Sequence, residues 1–439
     1  MARRFLYFCF FFLLVAAPVK AMVIVQKQKP PVARGALLTL GGCIRIALGI
    51  NPQVAAAGHT ALAAKSRIGE ARSGYYPQVN WQTDYTYYSS TQQKLQQVQA
   101  FGSRTQTVTN FQTGPSVTQN IYDFGRTGSL VGEAEFNSKA ASQDFESVSL
   151  SIDLAVKTAY YGVLQAQGNL ATARKVVAQA QAHLKQAQGF FAVGTVPKID
   201  VVNARVTLSN AQLALIQSEN ALKIAWQNLN NAMGVPDAPP FRIVNTLAYA
   251  PYPVTFPNAL RKAYANRPDL KASIATVKSA EQSLRFSRAG YYPTLSGDAG
   301  YTWSGERLPL DHGWNAGAAL TVPLFSGFLT KNQVDESNAD LDTAKDNEQT
   351  LRQQIYLQTR QAYLNLQQAA SSIATAKVGL RDAKENLDLA NGRYAAGVGN
   401  YIEVTDALTT FTQAQTTYIN ALYSYRIDQS NLENAMGMR

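Results

Sequence analysis

Cysteine and histidine are almost missing from this chain of 439 residues, which has two of the first and three of the second. Cys9 lies in an apolar leader, so Cys43 is the sole cysteine of the mature chain and no internal disulfide can form. His59, His183 and His312 fall on unrelated segments without metal-ligand spacing. There is no nucleophile elbow, phosphate-binding glycine loop or Cys-x-x-Cys pair either. The residues therefore point away from an enzyme and imply no cofactor. Proline is missing from Gly128 to about Gln188 and again from Leu324 to the C-terminus. A stretch without helix breakers can continue as one helix, and some 60 residues would then extend about 90 Å.

Long apolar runs are missing after the first residues. Arg3 and Arg4 precede "FLYFCFFFLLVA" (Phe5–Ala16) and a small-residue end at Ala21, which marks a secretory leader over 1–21. A linker, 22–37, follows. No later stretch approaches the roughly 20 apolar residues of a membrane-spanning helix. If the mature chain enters a membrane, it does so as strands. "LGGC" at Leu40–Cys43 resembles a lipid-attachment box, yet no apolar core directly precedes it and Cys43 falls within a helical pattern. Acidic residues number 29 against 40 basic ones, a formal charge of +11. The positive charge is scattered along helical segments, without a basic block or interleaved stacking aromatics, which argues against nucleic acid.

What the chain does have is itself, twice. "ALGINPQV" (Ala47–Val54) answers "AYANRPDL" (Ala263–Leu270), and "ARSGYYP" (Ala71–Pro77) answers "SRAGYYP" (Ser287–Pro293), both 216 positions apart. Further on, "IYDFGRTGSLVGE" (Ile121–Glu133) answers "LFSGFLTKNQVDE" (Leu324–Glu336) at an offset of 203, which holds to the second "NAMG" at Asn434–Gly437. Between Phe190–Gly234 and Arg393–Gly437, 16 of 45 positions are identical without a gap. Internal duplication follows, with repeat 1 over 38–234, a proline-rich connector over 235–257, and repeat 2 over 258–437. The connector reads as a surface crossing that could add a local strand.

Each repeat predicts a short helix, an Asn-Pro or Arg-Pro restart, a second helix stopped by Gly-Tyr-Tyr-Pro, then a strand pair, at about 77–123 and 293–325. In the first strand Val79, Trp81, Thr83, Tyr85 and Tyr87 alternate with Asn80, Gln82, Asp84, Thr86 and Tyr88. Phe111, Thr113, Pro115, Val117 and Ile121 mark the same face of the returning strand. Period-two alternation fits any half-buried sheet. Strands of about ten residues rich in aromatics also fit an outer-membrane barrel. Four strands cannot enclose a lumen, since about eight are needed merely to surround packed side chains. Open edges in lipid are costly, so a barrel would be shared among chains, and three would supply twelve strands.

After each strand pair comes a very long helix, with Leu150, Leu154, Ala155, Val163, Leu164 and Leu170 marking a stripe in the first. Helices of this length pack as coiled coils, either as a spacer stalk or around a tube. They reverse at "FAVGTVPKIDVVNA" (Phe191–Ala204) and "YAAGVGNYIEVTDA" (Tyr394–Ala407). The reversals, the doubled "NAMG", the "NP…GYYP" lead-in and the repeated order together resemble the TolC-type outer membrane efflux proteins. The resemblance runs from about Leu38 to Gly437. It implies an α+β membrane protein: a homotrimer with a twelve-stranded β-barrel, four strands per chain, continuous with a long α-helical coiled-coil periplasmic tunnel. It implies a passive exit duct in the outer membrane of a Gram-negative bacterium, serving a tripartite efflux or type I secretion system. Its partners would be outer-membrane lipid, a periplasmic adaptor (membrane fusion) protein and an inner-membrane pump. The alternative is a non-conducting periplasmic or surface coiled-coil protein.

The same resemblance assigns roles at the reversals. Val193, Gly194 and Thr195, with Ala396, Gly397 and Val398, would dock the adaptor, although glycine also suits any helix reversal. Glu403 and Asp406 share a helix face and would form acidic rings at the periplasmic mouth. They could equally complement a helix dipole. Asp200 and Tyr394 match two members of the family's closed-state lock, but the arginine position is occupied by Gly399. Lys198 is the nearest candidate for a replacement charge.

Overall fold

The structure is a computed structural model that describes residues 32–91 and 105–439. The leader, most of the linker and the loop 92–104 lie outside the described residues. Four helices form two hairpins of matched dimensions. Helices α3 (Arg126–Ala192) and α7 (Leu329–Ala395) have 67 residues each, about 100 Å of helix. Helices α4 (Lys198–Ala232) and α8 (Tyr401–Ala435) have 35 each. Shorter helices precede the strands in each half: α1 (Leu40–Ile50) and α2 (Pro52–Arg72), then α5 (Phe256–Asn266) and α6 (Pro268–Ala289). Along α3 pack α2 and α4 of its own half, and α6 and α8 of the other.

The proline restarts work as expected. Asn51 caps α2, its side chain accepting from the Gln53 N–H at 2.9 Å, with Pro52 in the first turn. The long helices also start alike. Asp123 accepts from the Thr127 N–H at 2.8 Å, and its counterpart Ser326 accepts from the Thr330 N–H at 3.4 Å. Each relieves one donor that a helix start leaves unpaired.

Strands β2 (Gln78–Thr91), β3 (Thr105–Tyr122), β5 (Thr294–Gly305) and β6 (Asp311–Thr321) form one antiparallel sheet in the order β2-β3-β5-β6. The register lines up polar rows across all four strands: Asn80–Ser116–Gly300–Asn315 and Asp84–Gln112–Ser304–Asp311. On the other face Trp81 stacks on Trp303 at 6.0 Å, and Tyr301 lies opposite Trp314. A register irregularity between Asn120 and Tyr122 leaves Ile121 without a register partner in β5, yet its side chain stays on the apolar face, 3.1 Å from where a Cβ on Gly297 would stand. Among the described residues, no α-helix packs over this sheet. Tyr85, Tyr87, Trp314 and Leu320 are each more than 60% exposed.

The core is strung along the rod as separate clusters. One gathers Cys43, Val156, Tyr160, Val163, Leu229 and Met233 where α1, α3 and α4 meet. Cys43 is fully buried there, its N–H bonded to Thr39 O, and burial pushes its thiol up to about 11. Cys43 is thus packed inside the core, in keeping with its place in a helical pattern. The predicted stripe on α3 is corrected: Leu150, Val163, Leu164 and Leu170 are buried, but Ala155 is exposed and Val156 and Tyr160 take the inward positions.

The connector is more than a surface crossing. Val235 and Phe241 are buried, and the strand β4 (Arg242–Ile243) pairs in parallel with β1 (Leu37–Leu38). Two buried phenols fasten it, Tyr160 donating to Val244 O at 2.6 Å and Tyr425 to Ala250 O at 2.7 Å.

Candidate functional site at the hairpin tips

Both reversals end in the same hydrogen-bonded turn. Gly194 has φ 77° and Gly397 φ 73°, the left-handed conformation that closes a helix C-terminus. Gly194 N donates to Phe191 O and Thr195 N to Phe190 O; Gly397 N donates to Tyr394 O and Val398 N to Arg393 O. All six predicted docking residues are exposed, with Val193 at 72% and Val398 at 69%. An apolar side chain held in water at a rigid turn is what a partner's surface can cover with gain.

Behind the turns a tight cluster holds the tips together: Ala187, Val201, Ala204, Leu387, Tyr394, Tyr401, Val404 and Leu408. The Tyr394 ring packs against Phe190 at 5.6 Å and Tyr401 at 5.7 Å. Its hydroxyl is buried with no hydrogen-bond partner among the described residues. Burial pushes this phenol above its ordinary pKa, and the charges of Asp200 and Tyr401 add to the shift. Tyr394 and Asp200 are thus brought into one electrostatic neighbourhood without a bond between them.

The two acids of α8 sit on the face opposite that cluster, since Val404, Ala407 and Leu408 are buried while Asp406 is exposed and Glu403 half-buried. Asn400 caps the helix, accepting from Glu403 N at 2.9 Å. Sequence reasoning missed Arg393. Its Nε lies 3.3 Å from Glu403 Oε2, whereas Lys198 makes no ion pair. The repeat alignment sets Arg393 and Glu403 opposite Phe190 and Asp200, so the arginine is particular to this tip, but nothing in the alignment pairs it with the glutamate.

Two hairpins of equal length, a shared sheet and tips of matching geometry correspond to one family model, described as outer membrane efflux protein, which matches residues 43–235 and 259–438. The chain belongs to that family. It is similar to the outer membrane protein TolC of Escherichia coli, 26% identical over 88% of this chain and 80% of that protein. It is also similar to protein CyaE of Bordetella pertussis, 25% identical over 71% of this chain and 65% of that protein. The chain thus spans just under two thirds of the latter's length. Among solved structures, CusC superposes with a TM-score of 0.80 at 18% identity, covering 91% of this chain and 92% of that one. The open state of the Neisseria gonorrhoeae MtrE outer membrane channel gives 0.76 at 17%, covering 91% and 89%. These neighbours share a fold of helical tunnel and β-barrel. Membership of this family places the chain in the Gram-negative outer membrane, with a large periplasmic part.

Proposed function

We propose that three copies of this chain close one twelve-stranded barrel and continue it as a helical tunnel. The assembly is a passive exit duct, receiving substrate from an inner-membrane pump through a periplasmic adaptor. The observation that carries this reading is the four-stranded sheet. Its apolar face is bare and its outer strands β2 and β6 have no partner among the described residues. Burying each such aromatic in lipid is worth about 1.5–3 kcal/mol, and sharing edges among chains removes the unpaired backbone. A soluble stalk would leave that face in water.

In this reading the two repeats, 38–234 and 258–437, are joined by the connector 235–257 and contribute two strands each. Tyr75, Tyr76, Tyr291 and Tyr292 are all exposed where the sheet meets the helices, the level at which barrels carry an aromatic girdle. This accounts for the doubled Gly-Tyr-Tyr-Pro. Val193, Gly194, Thr195, Ala396, Gly397 and Val398 dock the adaptor. Asp406 and Glu403 ring the periplasmic mouth. Tyr394 and Asp200 hold it closed, a role supported by the buried hydroxyl that lacks a partner among the described residues. Small toxic molecules or unfolded proteins both suit a wide passive tube.

The test is planar-bilayer conductance of the purified mature protein beside a Glu403→Ala/Asp406→Ala variant. The expected result is a discrete, cation-preferring conductance whose selectivity falls in the variant. Silence from folded protein, persisting after Tyr394→Phe and Asp200→Asn loosen the mouth, would favour the stalk.

A further inference from the structure

The side chain of Arg393 lies across the second tip. Beyond its 3.3 Å contact to Glu403 Oε2, its Nη2 donates to Val398 O at 3.4 Å. The turn is shaped around it. A Cβ at Gly399 would stand 3.0 Å from Arg393 Cβ and 3.2 Å from both Arg393 C and Tyr394 N, so any side chain at 399 would press on the arginine's own backbone. Gly399 N and Val398 N both donate to Arg393 O at 3.1 Å.

The first tip has none of this. Phe190 stands where Arg393 does, Val196 where Gly399 does, and Asp200 forms no ion pair among the described residues. The arginine therefore belongs to the tip that carries the two outward acids, and it reaches one of them. Asp406, on the same face, forms no ion pair among the described residues.

We infer that Arg393 sets the charge selectivity of the periplasmic mouth by neutralising Glu403 and leaving Asp406 as the unmasked acid. The inference rests on the duct reading. Both partners are partly exposed, at 57% and 41%, so the pair adds little to stability. Charge in a constriction acts differently, because ions respond to the net field of the ring. Each chain brings two carboxylates and one guanidinium to the mouth, which halves its acidic charge. Salt screens such fields over about 10 Å at 0.1 M, so the effect grows as the bath is diluted.

The test is the reversal potential in a potassium chloride gradient for wild type, Arg393→Gln, Glu403→Gln, the double variant and Arg393→Lys. Removing the arginine should raise the cation-to-anion permeability ratio, by about two-fold at low salt. Removing Glu403 should lower it, because the freed guanidinium then opposes Asp406. The double variant and the lysine variant should lie near wild type. Because the glutamate variant reads the same charge, a misfolded Arg393→Gln protein does not spare the inference. A ratio unmoved by either single change, in a channel where Asp406→Asn still shifts it, overturns the inference and keeps the duct. A wild-type protein that conducts in no condition removes the duct reading and the inference together.

Discussion

The backbone of Gly234 lies directly on that of Asn51: at φ 74°, a Cβ on this glycine would stand 2.9 Å from the asparagine Cα. The second half repeats the contact, with Gly437 at φ 69° and its would-be Cβ 2.7 Å from Arg267 N. Asn51 Nδ2 also donates to Ala232 O at 3.1 Å. The end of each distal hairpin is thus pinned to the proline restart that opens its own repeat. Gly234→Ala adds left-handed strain and a backbone clash and should cost about 1–3 kcal/mol. It should lower the melting temperature in detergent, whereas Gly49→Ala, in open space on α1, should not. Equal melts for the two would remove the pin.

Lys157 joins the halves. Its Nζ lies 2.9 Å from Asp153 Oδ2 and 3.2 Å from Glu433 Oε2, with all three side chains mostly buried. Burial alone would lower the ammonium's pKa, but hydrogen bonds and charge from Asp153 and Glu433 outweigh it and raise it above 10.5. A raised cation stabilises at every pH below the unfolded value, so the contribution is complete at neutrality and lost only as pH rises past the folded one. Lys157→Met strands two carboxylates and should cost about 3–5 kcal/mol. Asp153→Asn with Glu433→Gln should restore much of it, as read by chemical unfolding.

His183 should make the tunnel acid-sensitive. It is 9% exposed, its Nδ1 has no partner, and burial lowers its pKa from 6.5 despite a hydrogen bond with Gln186. From about 6.5 downwards the unfolded chain takes up a proton that the folded chain refuses. Stability therefore falls with pH until the folded pKa is passed, by at most about 1.4 kcal/mol per pH unit. His183→Gln should flatten that slope in melts between pH 7 and 5. An unchanged slope would place the acid sensitivity elsewhere.

The apolar sheet face should tolerate no charge. Tyr85→Asp puts a carboxylate where the proposed barrel meets lipid, at a cost of up to about 2 kcal/mol per copy. It should leave the protein out of the outer-membrane fraction. Gln82→Asp, on the polar face, should assemble normally. The reverse pattern would turn the sheet inside out.

Much of this was legible because it is local. Missing prolines allowed the long helices, and alternation from Val79 to Tyr87 marked the sheet and its faces. Duplicated glycines marked the reversals. What escaped is tertiary. That the "NAMG" glycine meets the Asn-Pro depends on two helices folding back 180 residues apart, which no spacing reveals. Ala155 and Val156 differ by one position in a helix whose inward face is chosen by α1 and α4. Cys43 has an attachment-like spelling, and its place in the core of α1, α3 and α4 was not visible in it. At the tips the glycines were readable, but the Arg393–Glu403 pair was not, because a ten-residue separation across a turn has no periodic signature.

The unpaired outer strands have a kinetic consequence. A chain with both edges of its sheet open cannot dissolve in hydrocarbon alone, because every free N–H and C=O there costs several kcal/mol. In the proposed trimer, insertion is therefore a reaction of order higher than one in the chain. Diluting newly exported protein slows it more than proportionally, and a single chain waits in water with its aromatics exposed.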